Sequence, residues 1–420
     1  MYSIAIRIGK YFLPIIVLLY YCRFFVRMGG GPGWWMSWIR PFATRAFSGA
    51  QVRMECALQD GKRLDPQDGM ERMEQSNHSF LVLFLAPVAQ FLADDSVAEI
   101  LINGPQCVYV ERKWKLEETN VKFVSEPALR AAATNIAKSV GRLLDDMPPR
   151  LDARLPDGSR VHAVIPPLSR LGTVIAIRKF KKETLTIEKM QTFGSVDEKT
   201  VSLIRALVLR HKNVIVSGAT SSGKTSVLNA LSSFIPDGER VLVIEDATEL
   251  QLQQKHIVPF ETRKADKNGQ GEVTIRDLIH SALRLRPDRI VIGEIRGGEA
   301  LDLLQALNTG HAGSMSTIHA NTPVDCLRRI ETCALLSGID IPLQALRAQV
   351  ASAIDAVVHT ARLTDGSRKV IAISEVLPLE NGDYRVRDIQ RWVTDAIAPD
   401  GVLSGHFEFP NEPSFLSVCG

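Results

Sequence analysis

The sequence predicts an α/β protein in which a domain built on a parallel-rich central sheet follows a smaller α+β domain. Three observations carry this. A short apolar strand, Val214-Ile-Val216, runs into Gly218-Ala-Thr-Ser-Ser-Gly223-Lys224-Thr225 and then into an apolar-periodic helix with Val227, Leu228 and Leu231. From about Ser195 to about Asp395, apolar strands alternate with helical patterns, as in a parallel sheet covered on both faces. Upstream, the stretch from Phe80 reads instead as short strands and turns around one alanine-rich helix.

The totals agree with two globular domains. At 420 residues each half is long enough to bury its own core. Charged residues at 23% and hydrophobic ones at 45% are ordinary values, and a formal charge of +3 demands no nucleic acid as partner. The six cysteines show no C-x-x-C and no histidine at metal-ligand spacing, which argues against zinc and against a disulfide framework and fits a reducing compartment.

Residues 1–72 differ from the rest. Tyr11–Cys22 is an apolar run of twelve flanked by Lys10 and Arg23, short of the roughly 20 residues a membrane span needs. No convincing small-residue cleavage site follows; GGGPGWWMSW does. The stretch is expected to be a non-core extension. A membrane-surface anchor, or a gene start lying at Met54, Met70 or Met73, are the two ways to account for it.

The smaller domain is expected over 73–182. A helical pattern from Phe80 to Leu92 precedes a hairpin, Glu99–Ile102 and Cys107–Glu111 around Asn103-Gly104. A helix with proline at its first position is expected from Pro127 to Leu144, then strands Val161–Ile165 and Val174–Arg178. Arg154-Leu-Pro-Asp-Gly-Ser-Arg160 is a turn flanked by arginines, and Arg178–Lys182 packs four cations into five residues. Taken alone, that run reads as a solvated linker face, and the linker itself is expected over 183–194. The larger domain is expected over 195–395, with strands at Val241–Glu245, His256–Phe260, Arg289–Ile292 and Ser314–Ile318. Helices are expected at Thr274–Leu285, Glu299–Asn308 and Pro342–Ala353, and one starting at Pro323 behind the cap Thr322. Short strands follow at Ala356–His359, Val370–Glu375 and Tyr384–Arg387. The glycine- and proline-punctuated stretch 396–420 is expected to be a loose tail.

The chemistry centres on the glycine loop. Gly218 and Gly223 let the backbone form a nest of N–H groups, with Ala219, Thr220, Ser221 and Ser222 between them and Ser226 just past the loop. The helix that follows presents its positive end to the same anion. Lys224 is placed for the terminal phosphates and the Thr225 hydroxyl for Mg²⁺, so ATP and Mg²⁺ are the expected cofactors. Three strand ends carry further groups: Glu245-Asp246 with Glu249 nearby, Glu294 followed by Arg296, and His319 with His311 on the other side of its strand. Buried carboxylates at a sheet's carboxyl edge are costly without a base or metal role. In-line attack of water on a γ-phosphate needs such a set. Glu294 is expected to polarise the water. Gly293 stands where the common second NTPase motif places a metal-binding Asp, which leaves Glu245 or Asp246, through water, to complete the Mg²⁺ shell.

Glu245-Asp-Ala-Thr-Glu249, Glu261-Thr-Arg263, Leu283–Arg289, Gly293-Glu-Ile-Arg-Gly297 and Asn308–Asn321 together resemble the secretion-ATPase superfamily of type II and type IV secretion. Within it the likeness is greatest to the CpaF/TadA-type ATPases of Tad (Flp) pilus systems. It covers about Phe80 to Arg391. The resemblance implies a RecA-like P-loop ATPase domain behind a PAS-like N-terminal domain. It also implies a cytoplasmic homo-hexamer, peripheral to the inner membrane through platform proteins, that couples ATP hydrolysis to movement of pilin subunits. Glu245 and Asp246 match the Asp box, Glu294 the second NTPase motif, and His311 with His319 the His box. Imidazoles beside a strand equally serve to hold a loop. Arg160 and Arg178, with Arg154 as a third, match cations that the first domain brings to nucleotide. Ala219 and Ser221 replace frequent glycines and are expected to keep the loop's shape only if their φ angles are negative. A RecA-like DNA-translocating motor and a nucleotide-switched scaffold with little turnover are the rival readings. The first wants basic, aromatic-interleaved loops, which are lacking beyond Arg178–Lys182, and Glu294 speaks against the second.

Overall fold

Two sheets organise the chain, and two arginines of the first, Arg154 and Arg160, reach residues 247–261 around the second. The computed structural model describes residues 85–112, 115–180, 185–265, 269–399 and 401–416, all inside the unit Phe80–Gly420. The expectations for residues 1–72, and for Lys181 and Lys182, lie outside the described residues.

The first sheet follows a 3-10 turn at Ala86–Val88 and a short helix α1 (Ala89–Ala93). Strand β1 (Val97–Asn103) pairs antiparallel with β2 (Val108–Arg112), and Gly104 at φ +78° turns the chain between them. Strand β3 (Lys115–Glu118) closes that edge. Helix α2 (Glu126–Ser139) starts where Ser125 accepts the Ala128 N–H, and it buries Leu129, Ala132, Ala133, Ile136 and Ala137. It stops five residues before the sequence-expected end. Gly141 enters the left-handed region at φ +70°, and the Gly141 and Arg142 amides close back on Lys138 and Ala137. Strands β4 (Arg150–Arg154), β5 (Arg160–Val164) and β6 (Val174–Arg178) complete the order β3-β2-β1-β6-β5-β4.

Helix α3 (Ile187–Thr192), inside the expected linker, buries Ile187 and Met190 in the same apolar cluster as the strand that feeds the glycine loop. Then come α4 (Glu198–Leu209), β7 (Val214–Gly218), α5 (Lys224–Ser232), β8 (Val241–Glu245), β9 (Ile257–Glu261), α6 (Ile275–Ala282), β10 (Arg289–Ile292), α7 (Glu299–Asn308), β11 (Met315–His319), α8 (Pro323–Leu335) and α9 (Leu343–Ala353). Strands β12 (Ala356–Arg362), β13 (Arg368–Glu380), β14 (Asp383–Ile397) and β15 (Leu403–Glu408) follow. The nine-stranded order is β15-β14-β13-β12-β7-β11-β10-β8-β9; the six strands from β12 to β9 run parallel, and β13, β14 and β15 are antiparallel. Helices α6–α9 cover one face and α3–α5 the other; along β7 the apolar residues alternate, Ile215 toward the first layer, Val214 and Val216 toward the second. Fully buried Arg289 pins the amino-terminal edge, paired with Glu239 and donating to the Val208 and Gly313 carbonyls.

The C-terminal stretch is not a loose tail. Residues 403–408 form β15 against β14, Trp392 and Phe407 meet edge to face at 4.9 Å, and Phe415 is buried beside α3–α5. Gly405 belongs there for space. A Cβ on it would lie 2.2 Å from the Val393 carbonyl and 2.5 Å from the Trp392 ring.

Candidate functional site

The carboxyl ends of β7, β8, β10 and β11 meet at the glycine loop, as parallel α/β topology requires. Gly218 ends β7 at φ +155°, and a Cβ there would sit 2.3 Å from the Thr360 carbonyl; Gly223, at φ +98°, caps α5. Ala219 takes no positive φ, but Ser221 does, at 60°. The condition of a negative φ at both substitutes for glycine is therefore met at Ala219 and not at Ser221. The turn needs a left-handed residue there, and a serine occupies it at a cost of about 1–2 kcal/mol.

Lys224, largely buried, donates to the Ala219 carbonyl at 2.9 Å and lies 3.2 Å from His319 Nδ1. His319 Nε2 is 2.9 Å from Glu294 Oε1, so one imidazole joins the lysine to the carboxylate. Burial and the neighbouring Lys224 charge hold the His319 pKa below its usual 6.5. In a neutral ring Nδ1 accepts from the ammonium, while Nε2 lies close to Glu294 Oε1 without hydrogen-bonding it. Glu294 also pairs with Arg296, whose other nitrogen reaches Asp246 at 3.1 Å. Desolvation lowers the Lys224 pKa, partly offset by Glu294.

The three acids at and beyond the end of β8 sort differently from the expectation. Glu245 is buried, and its Oε1 accepts the N–H groups of Glu249 and Leu250 at 2.8 and 2.9 Å. Burial pushes its carboxyl up to about 7. Asp246 turns to Arg296 and Thr262. The carboxylate beside the Thr225 hydroxyl is Glu249, at 3.4 Å. The structure thus brings neither Glu245 nor Asp246 to Thr225. A hydroxyl and one carboxylate at a helix N-terminus fit Mg²⁺, which keeps several waters and takes phosphate oxygens for the rest of its octahedron. Among the described residues no three His, Cys, Asp or Glu side chains gather as a protein-only metal cage.

Of the arginines, two reach the second sheet. Arg160 contacts Glu249 at 2.9 Å and the Ala247 carbonyl at 3.1 Å. Arg154 contacts Glu261 at 3.0 Å and the Thr248 carbonyl at 3.1 Å. Arg178 instead faces its strand neighbour Glu99 at 3.8 Å and is 63% exposed, so the structure does not bring it to the loop. His311 is likewise absent from the site. It precedes β11 at the opposite edge of the sheet from His319, where its ring and amide contact the Ala306 carbonyl. Sequence reasoning missed the backing of the loop by β12 and β13: Ser217 with His359, Ser222 with Thr360, and Arg368 donating to the Ser221 carbonyl. Among these residues only the glycine loop carries a motif signal.

A phosphate nest, a lysine, a hydroxyl for magnesium and a polarised carboxylate define a P-loop ATPase. The chain belongs to the Type II/IV secretion system protein family, whose profile matches residues 84–387. A Mycobacterium tuberculosis protein named for conjugal transfer is 35% identical over 321 residues, 75% of this chain and 90% of that protein. The type IV secretion system protein VirB11 of Bartonella quintana is 31% identical over 342 residues, covering 72% and 95% of the two chains. The VirB11 ATPase structure from Brucella suis, in complex with sulphate, is 28% identical over 73% of this chain and 96% of that one, with a TM-score of 0.37. This protein is a secretion-system traffic ATPase with a RecA-like ATPase domain behind a smaller α+β domain.

Proposed function

We propose that the protein is the ATP-hydrolysing motor of a Tad-type pilus, working as a ring of six at the cytoplasmic side of the inner membrane and converting Mg-ATP hydrolysis into movement of pilin subunits. The observation that carries a motor reading is the reach of Arg154 and Arg160 from the first sheet onto the 247–261 stretch beside the nucleotide loop. Closure of the first domain on nucleotide then changes the setting of Glu249, and hydrolysis reopens it. In this scheme Lys224 holds the terminal phosphates, Thr225 and Glu249 hold magnesium directly or through water, and Glu294 polarises the attacking water. His319 keeps Lys224 and Glu294 in register. Bound Mg²⁺ would supply charge neutralisation at the β- and γ-phosphates.

Names of relatives favour a second reading, export of a conjugative or effector substrate through a type IV secretion system. A Glu294→Gln allele in the host separates the two. Loss of surface fibres with conjugation and export intact supports the pilus motor; the reverse pattern supports the second reading. No described helix is long and apolar enough to cross a membrane, and this proposal has the protein associate with the membrane through platform proteins.

A further inference from the structure

The strain at Ser221 has a partner. Ser221 is the one non-glycine residue of the 218–225 loop with a positive φ, and its carbonyl accepts Arg368 Nε at 2.7 Å. The stem of the same arginine runs along the loop, its Cδ 3.4 Å from where a Cβ on Gly223 would stand. Arg368 opens β13 and pairs in register with Arg362 at the end of β12. The five-residue turn between them is closed by Leu363 N–H on the Ser367 carbonyl and by Asp365, whose Oδ1 accepts from the Ser367 amide and hydroxyl. The other Asp365 oxygen takes the Leu403 amide at the start of β15. The arginine therefore stands on a braced hairpin.

The geometry says what the contact does. In a trans peptide the carbonyl of Ser221 and the N–H of Ser222 point opposite ways. Arg368 holds the carbonyl on one side of the peptide, and on the other side the Ser222 N–H donates to the Ala219 carbonyl at 3.3 Å, which fixes the peptide's orientation within the loop. Thr360 fixes the neighbouring side chain, its Oγ1 2.8 Å from Ser222 Oγ, and His359 fixes Ser217 at 2.8 Å. Left to itself a serine leaves the left-handed region for a negative φ, and this peptide would swing out of the nest. A glycine needs no such restraint.

We propose that Arg368 is a positioning residue for nucleotide: it clamps the left-handed Ser221 so that the phosphate loop keeps an anion-binding shape without glycine at that position. It does so through the loop backbone rather than by touching phosphate. The proposal rests on the loop binding nucleotide.

The test is a double-mutant cycle read by MgATP and MgADP titration and by KM against kcat, with thermal unfolding of every variant. Arg368→Gln is expected to weaken nucleotide binding and raise KM about ten-fold, with kcat changed far less, because a charged hydrogen bond to the loop is lost. In a Ser221→Gly background the same substitution is expected to cost less than about three-fold, since glycine takes the required φ unaided. Arg368→Lys, which retains one donor, is expected to fall between. An undiminished penalty in the Ser221→Gly background overturns the proposal and points to direct phosphate contact. A double variant that does not fold also overturns it, as does wild-type binding by Arg368→Gln. Folding of the double variant where the single one fails supports it. Should wild-type protein itself bind no nucleotide, the P-loop reading fails, and that result is distinct from all of these.

Discussion

Arg160 on the first sheet holds Glu249, in the loop after β8, at 2.9 Å, and the same carboxylate lies 3.4 Å from the Thr225 hydroxyl. The pair is only part-buried, so its direct contribution to stability is about 0–1 kcal/mol. Its weight lies in where it places Glu249. Arg160→Gln is expected to lower kcat/KM for ATP by about ten-fold or more with little change in thermal midpoint. Arg178→Gln, whose arginine pairs with Glu99 instead, is expected to stay within about three-fold of wild type. Steady-state ATPase assays with parallel unfolding scans check this, and equal losses in the two variants would contradict it. Because Arg160 meets Glu249 of its own chain, mixing Arg160→Gln with Glu294→Gln subunits should restore no activity.

Lys224, His319 and Glu294 lie in contact in that order, and each should fail differently. Lys224→Ala is expected to lose productive MgATP binding. Glu294→Gln should bind nucleotide but turn over about a hundred-fold slower or worse, because an amide accepts no proton. The pH dependence follows from His319. Its folded pKa lies below 6.5 through burial and Lys224, so the unfolded ring takes a proton first. Its contribution is therefore intact above pH 6.5 and declines as pH falls below it, and activity should fall with protonation on the acid side. His319→Gln should flatten that acid limb, which a pH–rate profile would show.

The C-terminal strand makes a stability prediction. Phe415 is buried among residues of α3, α4 and the loop strand. Phe415→Ala should cost about 3 kcal/mol in denaturant unfolding. A disordered end would give no change.

What the sequence made legible, and what it hid, divides along physical lines. The strands around the loop are buried on both faces, so Val241–Glu245 and Arg289–Ile292 read as continuous apolar runs and were placed to the residue. Strands β3 and β4 went unread because each is an edge strand. All four residues of Lys115–Glu118 are exposed, and Arg150–Arg154 buries only Leu151, so no period of two survives. The C-terminal strand hid behind Gly405, which fits a close approach of Trp392 rather than a turn. In the site, the motif fixed Lys224 and Thr225, and a third acid in Glu245-Asp-Ala-Thr-Glu249 was visible. Which of the three faces Thr225 depended on a loop held by backbone hydrogen bonds to Glu245, which no spacing rule reports. Two histidines around one strand looked alike, yet a five-residue strand separates His319 at the carboxyl edge from His311 beyond the amino edge.

Glu245 yields the last prediction. Its carboxyl is pushed up to about 7 by burial, against 4.5 unfolded, and the two backbone N–H groups only partly offset that. A folded pKa raised above the unfolded one means that the native state binds the extra proton between these values. Relative stability is full below pH 4.5 and is lost as pH rises through 7. Ionised at pH 8, Glu245 opposes folding by about 3 kcal/mol at most. Glu245→Gln keeps an oxygen able to accept from Glu249 and Leu250 but carries no charge at any pH. The variant is thus expected to match the wild type near pH 4.5 and to exceed its stability progressively toward pH 8 in the absence of nucleotide. Urea unfolding at pH 5, 6, 7 and 8 reads the difference. If the gap between the two proteins does not widen with pH, Glu245 is ionised throughout and the loop 246–250 is held by a charged carboxylate.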